Sequence, residues 1–181
     1  MNPRDELRLD GEAGLSLIEL IIYMLIIGVI GSLITMLFVN IWQTEGSVNG
    51  QTTGTTRGQL ISSQIERAMR NATAFTIEDG GSTLKVTTSL DGTLRCQGFT
   101  FDGTEARMTI SASPNVDPGT WPDWQNGVKP VGSAPFFAAN GANGVTYSFD
   151  TTTPDLTGTP VRFTGDVHMR NTSAGTLSPC W

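Results

Sequence analysis

One acidic residue, Glu19, stands at the leading edge of a long apolar run near the N-terminus, L-I-I-Y-M-L-I-I-G-V-I-G-S-L-I-T-M-L-F-V. An ionised carboxylate inside a membrane costs about 2.5–3.5 kcal/mol on insertion scales, unless it is paired or reaches the interface. The carboxylate of Glu19 is therefore expected either to pair with another group or to lie at the membrane interface. A plain single-pass anchor would not explain this acid.

The two cysteines, Cys96 and Cys180, are far apart and form no C-x-x-C motif. On the outer side of a membrane, two such residues most simply form one disulfide. Closing a loop of about 85 residues would be worth roughly 4–5 kcal/mol in the chain-entropy model. The alternative is a pair of buried thiols.

Few other residues could form a catalytic centre. His168 is the only histidine, and we expect it at the surface or edge of a strand. No G-x-S-x-G nucleophile motif is present. One histidine with two distant cysteines does not supply the ligands of a zinc site. We therefore expect no enzymatic activity, no metal and no cofactor.

Two pairs of residues have ligand-binding alternatives. Trp121 and Trp124, in T-W-P-D-W-Q-N-G, could present aromatic rings to a sugar or a protein partner, or could cover a sheet. Asp150 and Asp155 could bind calcium, although the spacing of an EF-hand loop is absent. For both pairs we favour the structural interpretation.

The apolar run is long enough to cross a membrane. Leu20 to Val39 covers twenty positions, and a helix of about 20 residues rises roughly 30 Å, the thickness of a bilayer core. A cleaved secretory signal would have a shorter apolar region, of about 7–15 residues, and a small-x-small cleavage site. We therefore predict a membrane helix followed by a soluble domain of about 135 residues.

The charge distribution argues against one class of ligand. The net charge is −6, of which residues 1–14 contribute −2 (2 basic, 4 acidic) and residues 15–181 contribute −4 (9 basic, 13 acidic). A mildly acidic domain without a Lys/Arg run is not typical of proteins that capture nucleic acid electrostatically. The sequence gives no indication of nucleic-acid binding.

The residues Gly14-Leu15-Ser16-Leu17-Ile18-Glu19, directly before the apolar helix, resemble the N-terminal signature of type IV prepilins and type II secretion pseudopilins. The resemblance implies a leader peptide, 1–14, that prepilin peptidase removes by cutting between Gly14 and Leu15. It implies N-methylation of the new N-terminus, Leu15, and places Glu19 at the acidic position of the family. Leu15 stands where Phe is commonest, and Ala13 stands where Lys or Arg often precedes the Gly.

The resemblance also implies a role for Glu19 and a set of partners. When subunits stack, the carboxylate of Glu19 in one subunit would neutralise the N-terminal amine of Leu15 in its neighbour. The implied partners are prepilin peptidase, other pilin subunits, and an assembly platform with its ATPase. The chain would cross the cell membrane once before assembly and then lie in a surface filament, with its head domain outside the cytoplasm.

The region between the membrane segment and the head has two interpretations. After a transmembrane and assembly helix, 15–43, residues 44–72 are either a helix continuation or a Gly-rich linker plus an amphipathic helix. Four glycines spaced four apart, Gly46 to Gly58, could form a small-residue stripe for a neighbouring helix. Each glycine weakens a helix by about 1 kcal/mol relative to alanine, so we favour a linker or a weakened helical stretch, whereas the resemblance favours a continuous helix.

The rest of the chain, 73–181, is predicted to be a β-rich head domain. An amphipathic helix, Gln59 to Ala72, with apolar residues at helical spacing, precedes it. Hairpin turns at Asp91-Gly92 and Asp102-Gly103 separate the first three of five predicted strands: Thr83–Ser89, Thr93–Phe101, Ala106–Ala112, Val145–Asp150 and Val161–Met169. Ser113 to Pro135, with five prolines, is predicted to be a long surface loop.

These observations predict an α+β, pilin-like fold, in which a helix packs on an antiparallel sheet. The stretch I-E-R-A-M-R-N-A resembles the corresponding helix of PilW-like minor subunits, which favours a minor over a major pilin. The alternative is a membrane-anchored adhesin or binding domain that does not polymerise. An anchored hydrolase would require His168 beside a nucleophile in a cleft.

Overall fold

The computed structural model of the chain describes residues 16–90, 92–152, 160–171 and 175–181, with the backbone alone for 43–49 and 90. The chain divides into two compact units, Met1–Glu45 and Gly46–Trp181. The predicted leader, 1–14, and the predicted cleavage bond between Gly14 and Leu15 lie outside the described residues.

One α-helix, α1, spans Leu17–Arg70. Its first turn forms where the carbonyl of Ser16 accepts hydrogen bonds from the backbone N–H groups of Glu19 and Leu20, at 2.9 and 3.1 Å. Its last turn carries Arg67 and Arg70, whose positive charges complement the C-terminal end of the helix dipole. The predicted C-terminal boundary at Ala72 is two residues too late.

The part of α1 in the first unit is apolar. Leu17–Trp42 comprises 26 residues with a mean hydropathy of 2.6, and it is long and apolar enough to cross a membrane. None of this stretch is buried within the protein. The prediction of an N-terminal apolar helix is therefore confirmed.

Gly46 to Gly58 is helical, so the structure has a continuation of α1 rather than a flexible linker in this segment. Two of these glycines contact a sheet rather than another helix. The carbonyl of Gly54 accepts a hydrogen bond of 2.8 Å from the hydroxyl of Thr151, and a Cβ atom on Gly58 would overlap the ring of Phe163. Tertiary packing therefore compensates for the low helix propensity of glycine in this segment.

The second unit contains two antiparallel sheets after α1. The five strands of the first sheet pair in chain order: β1 (Ala72–Glu78), β2 (Thr83–Leu90), β3 (Thr93–Phe101), β4 (Glu105–Ser111) and β5 (Asp123–Asn126). In the second sheet β8 pairs with the other three strands: β6 (Val128–Lys129), β7 (Phe137–Asn140), β8 (Gly144–Thr151) and β9 (Val161–His168). Two 3-10 turns, Asp79–Gly81 and Pro118–Thr120, complete the described elements. An α+β fold is confirmed.

All five predicted strands are present, and β2, β3 and β4 form the predicted meander. In the second hairpin, Gly103 adopts a φ of 96°, and the carboxylate of Asp102 accepts hydrogen bonds from the backbone N–H groups of Thr104 and Glu105. Asp91 of the first hairpin lies outside the described residues. The prediction of one long loop over 113–135 is wrong, because this segment contains β5 and β6.

One hydrophobic cluster joins α1 to both sheets. Ile61, Ile65 and Met69 of the predicted amphipathic helix are fully buried. They pack in a cluster with side chains from the strands, which include Leu84, Val86, Phe99, Phe101, Val128, Phe137, Val145 and Phe149. Burial of one such side chain is worth about 1.5–3 kcal/mol, so this helical face is a main source of stability for the unit.

The C-terminal segment covers the opposite face of the first sheet. A disulfide joins Cys96 of β3 to Cys180, which confirms the predicted pairing. The ring of Trp121 lies over Gly98, where a Cβ atom would overlap it, and 5.9 Å from the ring of Trp181. The ammonium of Lys85 lies 5.5 Å from the centre of the Trp181 ring. The C-terminal segment therefore shields the part of the first sheet around Cys96 from water.

The contact between Gly58 and Phe163 predicts different effects for two matched glycine-to-alanine substitutions. Gly58→Ala should lower the free energy of unfolding by about 1–2 kcal/mol, because a methyl group overlaps the ring and forces the packing to shift. Gly54→Ala should be neutral or stabilise by up to about 1 kcal/mol, since its Cβ would lie 3.4 Å from the Thr151 hydroxyl oxygen, an ordinary contact. Urea titration of the full-length chain in detergent micelles, followed by near-UV circular dichroism, measures both values. If Gly58→Ala and Gly54→Ala change the unfolding free energy equally in a Phe163→Ala background, the overlap with the ring is confirmed. Equal changes in the wild-type background would contradict it.

Removal of the disulfide should destabilise the second unit. The double variant Cys96→Ser/Cys180→Ser should lose about 4 kcal/mol of unfolding free energy, because the unfolded chain is no longer restricted by a loop closed across 84 residues. The same urea titration measures this loss, and the wild-type chain in reducing agent provides the matched control. An unchanged midpoint in both samples would show that the disulfide does not contribute to stability.

Candidate functional site

The first turn of α1 positions the predicted assembly residue. Glu19 is the third residue of the helix, where the helix dipole favours a negative charge. Ser16 and Glu19 also have the spacing of a capping box, S-x-x-E. Both the helix dipole and this spacing suit an acidic residue at position 19.

The carboxylate of Glu19 has one side-chain partner. Its Oε1 atom accepts a hydrogen bond of 3.3 Å from the hydroxyl of Tyr23, one turn further along the helix. Both side chains are exposed. Among the described residues, no lysine or arginine forms an ion pair with Glu19. Tyr23 was not predicted as a site residue, although its i+4 spacing from Glu19 indicates such a contact.

The remainder of the apolar helix offers few polar groups to a partner. The hydroxyl of Ser32 donates a 2.8 Å hydrogen bond to the carbonyl of Val29, and that of Thr35 donates one of the same length to the carbonyl of Gly31. Glu19 is the only charged residue of Leu17–Trp42. This arrangement can place one negative charge at the end of an apolar surface, where a cation from another molecule could neutralise it.

The two tryptophans of the proposed ligand motif differ in exposure. Trp121 is only 2% exposed, and its indole N–H donates a 2.9 Å hydrogen bond to the carbonyl of Asn115. Trp124 is half-buried, with its ring centre 6.2 Å from that of Phe99. Trp121 therefore covers the sheet, as the structural interpretation predicts, and it does not present a free ring to a ligand.

The remaining candidate residues belong to the second unit. His168 is exposed at the end of β9, in agreement with the predicted position at the surface or edge of a strand. The two oxygens of Asp150 accept hydrogen bonds from Nε and Nη2 of Arg162, at 3.0 and 3.2 Å. Asp150 is thus held in a two-bond ion pair rather than left open for a cation, and Asp155 lies outside the described residues.

A polar contact that the sequence analysis missed links α1 to β8. The hydroxyl of Tyr147 donates a 2.9 Å hydrogen bond to Oε1 of Glu66, and Nη2 of Arg70 donates one of 3.0 Å to Oε2. Burial raises the pKa of Tyr147, and the hydrogen bond to the negatively charged Glu66 raises it further. Glu66 and Tyr147 are 81 residues apart, so only the folded structure reveals the pair.

Comparisons with models of known protein families, with curated proteins and with solved structures find no match to this chain.

The raised pKa of Tyr147 predicts a loss of stability at high pH. The folded state holds this proton more tightly than the unfolded state, in which the pKa is near 10. The resulting stabilisation is fully present below about pH 10 and is lost as the pH rises through the folded-state pKa. The unfolding free energy of the wild-type protein should therefore fall more steeply above pH 10 than that of Tyr147→Phe.

Urea titrations between pH 8 and 11.5 provide the measurement. Tyr147→Phe should also cost about 1 kcal/mol near neutral pH, because Glu66 loses a hydrogen bond. Tyr23→Phe removes the only other tyrosine and should leave the slope unchanged. Identical slopes for the wild-type protein and Tyr147→Phe would contradict the assignment.

Proposed function

We propose that the chain is a type IV pilin-like subunit, processed by prepilin peptidase and assembled through its N-terminal helix into a pilus or a secretion pseudopilus. One observation carries this proposal. The sequence Gly14-Leu15-Ser16-Leu17-Ile18-Glu19 leads directly into a helix that is long and apolar enough to cross a membrane. Glu19 lies in the first turn of that helix without a cation among the described residues.

The second unit supports the proposal through its general fold and its disulfide. Its part of α1 packs on an antiparallel sheet, and a disulfide attaches the C-terminal region to β3. Both features agree with the head domain that the resemblance implies. A disulfide also suits a domain outside the cytoplasm, where oxidising conditions preserve such bonds.

The proposed mechanism of assembly is electrostatic. A lone Glu19 near the membrane boundary carries the cost of a poorly solvated carboxylate. A neighbouring subunit would contribute the α-amine of Leu15, freed when the leader is removed, and the ion pair would offset that cost. Because each subunit has one such carboxylate and one such amine, the pair would define the axial register of the helices.

The resemblance to prepilins implies the proposed partners. They are prepilin peptidase, sibling pilins, and an assembly platform with its ATPase, and the resemblance of the second half of α1 to PilW-like helices favours a minor subunit. In the rival function, an anchored adhesin that does not polymerise, the mature chain would begin at Met1 or after the apolar segment.

The mature N-terminus and the Glu19→Ala variant test the proposal together. In cells with prepilin peptidase and the assembly machinery, mass spectrometry should find a chain that begins at Leu15, with a methylated amine. Glu19→Ala should be processed equally well, but its amount in sheared filaments should fall at least about tenfold, because the ion pair with the neighbouring amine is lost.

Tyr23→Phe is the matched control, since it removes the hydrogen bond to Glu19 and keeps the charge. It should enter filaments at nearly the wild-type level. An intact Met1, or loss of the whole apolar segment, would favour the non-polymerising rival. Normal incorporation of Glu19→Ala would disprove the role of the acid even if processing occurs at Leu15.

A further inference from the structure

A groove lined largely by arginine lies beside the last turns of α1, in the second unit. It has a volume of about 380 Å³ and is lined by Ser63, Glu66, Arg67, Arg70, Asn71 and Arg170. Arg170 follows β9 and is a hundred residues away from Arg70 in sequence, so the fold gathers three guanidinium groups that the sequence separates. We call this feature the arginine groove.

The single carboxylate of the arginine groove is already occupied. Oε1 of Glu66 accepts a hydrogen bond from Tyr147 and Oε2 accepts one from Arg70. Among the described residues, neither Arg67 nor Arg170 forms an ion pair. The three arginines and Glu66 therefore give the groove a net charge of +2, in a chain whose net charge is −6.

Ser63 and Asn71, the other polar residues of the groove, each donate a side-chain hydrogen bond to a carbonyl of α1. The hydroxyl of Ser63 donates to the carbonyl of Leu60, and the side-chain amide of Asn71 donates to the carbonyl of Arg67. The donors left for a ligand are mainly those of Arg67 and Arg170. Both side chains are exposed, so a ligand can reach them from solvent.

We propose that the arginine groove binds a phosphate monoester. A planar guanidinium donates two parallel hydrogen bonds to phosphate oxygens. A phosphate monoester carries about −1.5 to −2 charge at pH 7, which matches the net charge of the groove. A carboxylate or a phosphodiester carries only one negative charge and would leave the second guanidinium uncompensated.

This binding function does not depend on whether the chain polymerises. The phosphate monoester could be part of a soluble molecule or the headgroup of a lipid such as phosphatidate. The acidic remainder of the surface repels anions in general. Binding therefore needs the local positive charge of the groove, and this requirement makes the proposal testable by single substitutions.

The experiment uses the full-length chain in nanodiscs of phosphatidylcholine, titrated with glycerol 3-phosphate. NMR shifts of the arginine side-chain N–H groups report binding. We expect shifts at Arg67 and Arg170, and a Kd about tenfold weaker in each of Arg67→Gln and Arg170→Gln, since each loses a charge-assisted pair. Both residues are exposed, and the shifts of the remaining residues verify that the variants are folded.

Arg95→Gln is the matched control, because it removes the same charge from an exposed position on β3 that does not line the groove. It should bind glycerol 3-phosphate as the wild-type protein does. Dimethyl phosphate and acetate, each with one negative charge, should bind about tenfold more weakly than the monoester. The lysine variants Arg67→Lys and Arg170→Lys should bind with intermediate Kd, because charge remains but the paired donors are lost.

The two sources of the phosphate are separated by a second set of nanodiscs that contain phosphatidate. Shifts at Arg67 and Arg170 in these discs without soluble ligand would identify a lipid headgroup, whereas shifts with glycerol 3-phosphate alone would identify a soluble ligand.

Equal weakening by Arg95→Gln would overturn the proposal, as would unchanged binding in both groove variants or an absence of shifts in every titration. Tighter binding of an oligonucleotide without a terminal phosphate would overturn it in favour of nucleic acid.

Discussion

The burial of one face of α1 is the interaction on which the second unit depends. Ile61, Ile65 and Met69 are inaccessible to water, and the strands of both sheets supply the side chains around them. Without the helix, each sheet would expose an apolar face, and without the sheets a glycine-containing helix would have little reason to form. Gly58 shows how closely the two kinds of element approach, since the ring of Phe163 occupies the space of a side chain there.

Local patterns predicted much of this architecture. The spacing of Ile61, Ile65 and Met69 indicated the amphipathic helix, and Asp102-Gly103 indicated a hairpin that the structure contains. The strands that were missed are either short or adjacent to another element. β1 begins two residues after α1 ends. β6 has only two residues, so this strand is defined by its pairing with β8 and not by a sequence pattern.

The candidate sites differ in what local sequence can reveal about them. Glu19 was identifiable because a charge in an apolar run is conspicuous, and Tyr23 is one helical turn away. The arginine groove was not identifiable, because Arg170 joins Arg67 only through the packing of β9, and because the pairing of Glu66 with Tyr147 is a long-range contact. At Glu19 and in the arginine groove alike, the relevant property is a charge that no described residue of the chain neutralises.

The covalent link between Cys96 and Cys180 has a consequence for the order in which the second unit is completed. During synthesis or export, β2 and β3 can pair before Cys180 and Trp181 emerge, because Cys180 follows Cys96 by 84 residues. Until then, Lys85 and Thr87 on the outer face of the sheet lack the cover that the C-terminal segment provides. A partly synthesised chain therefore exposes a sheet surface to chaperones and proteases, and oxidation of the cysteine pair marks the end of that exposure.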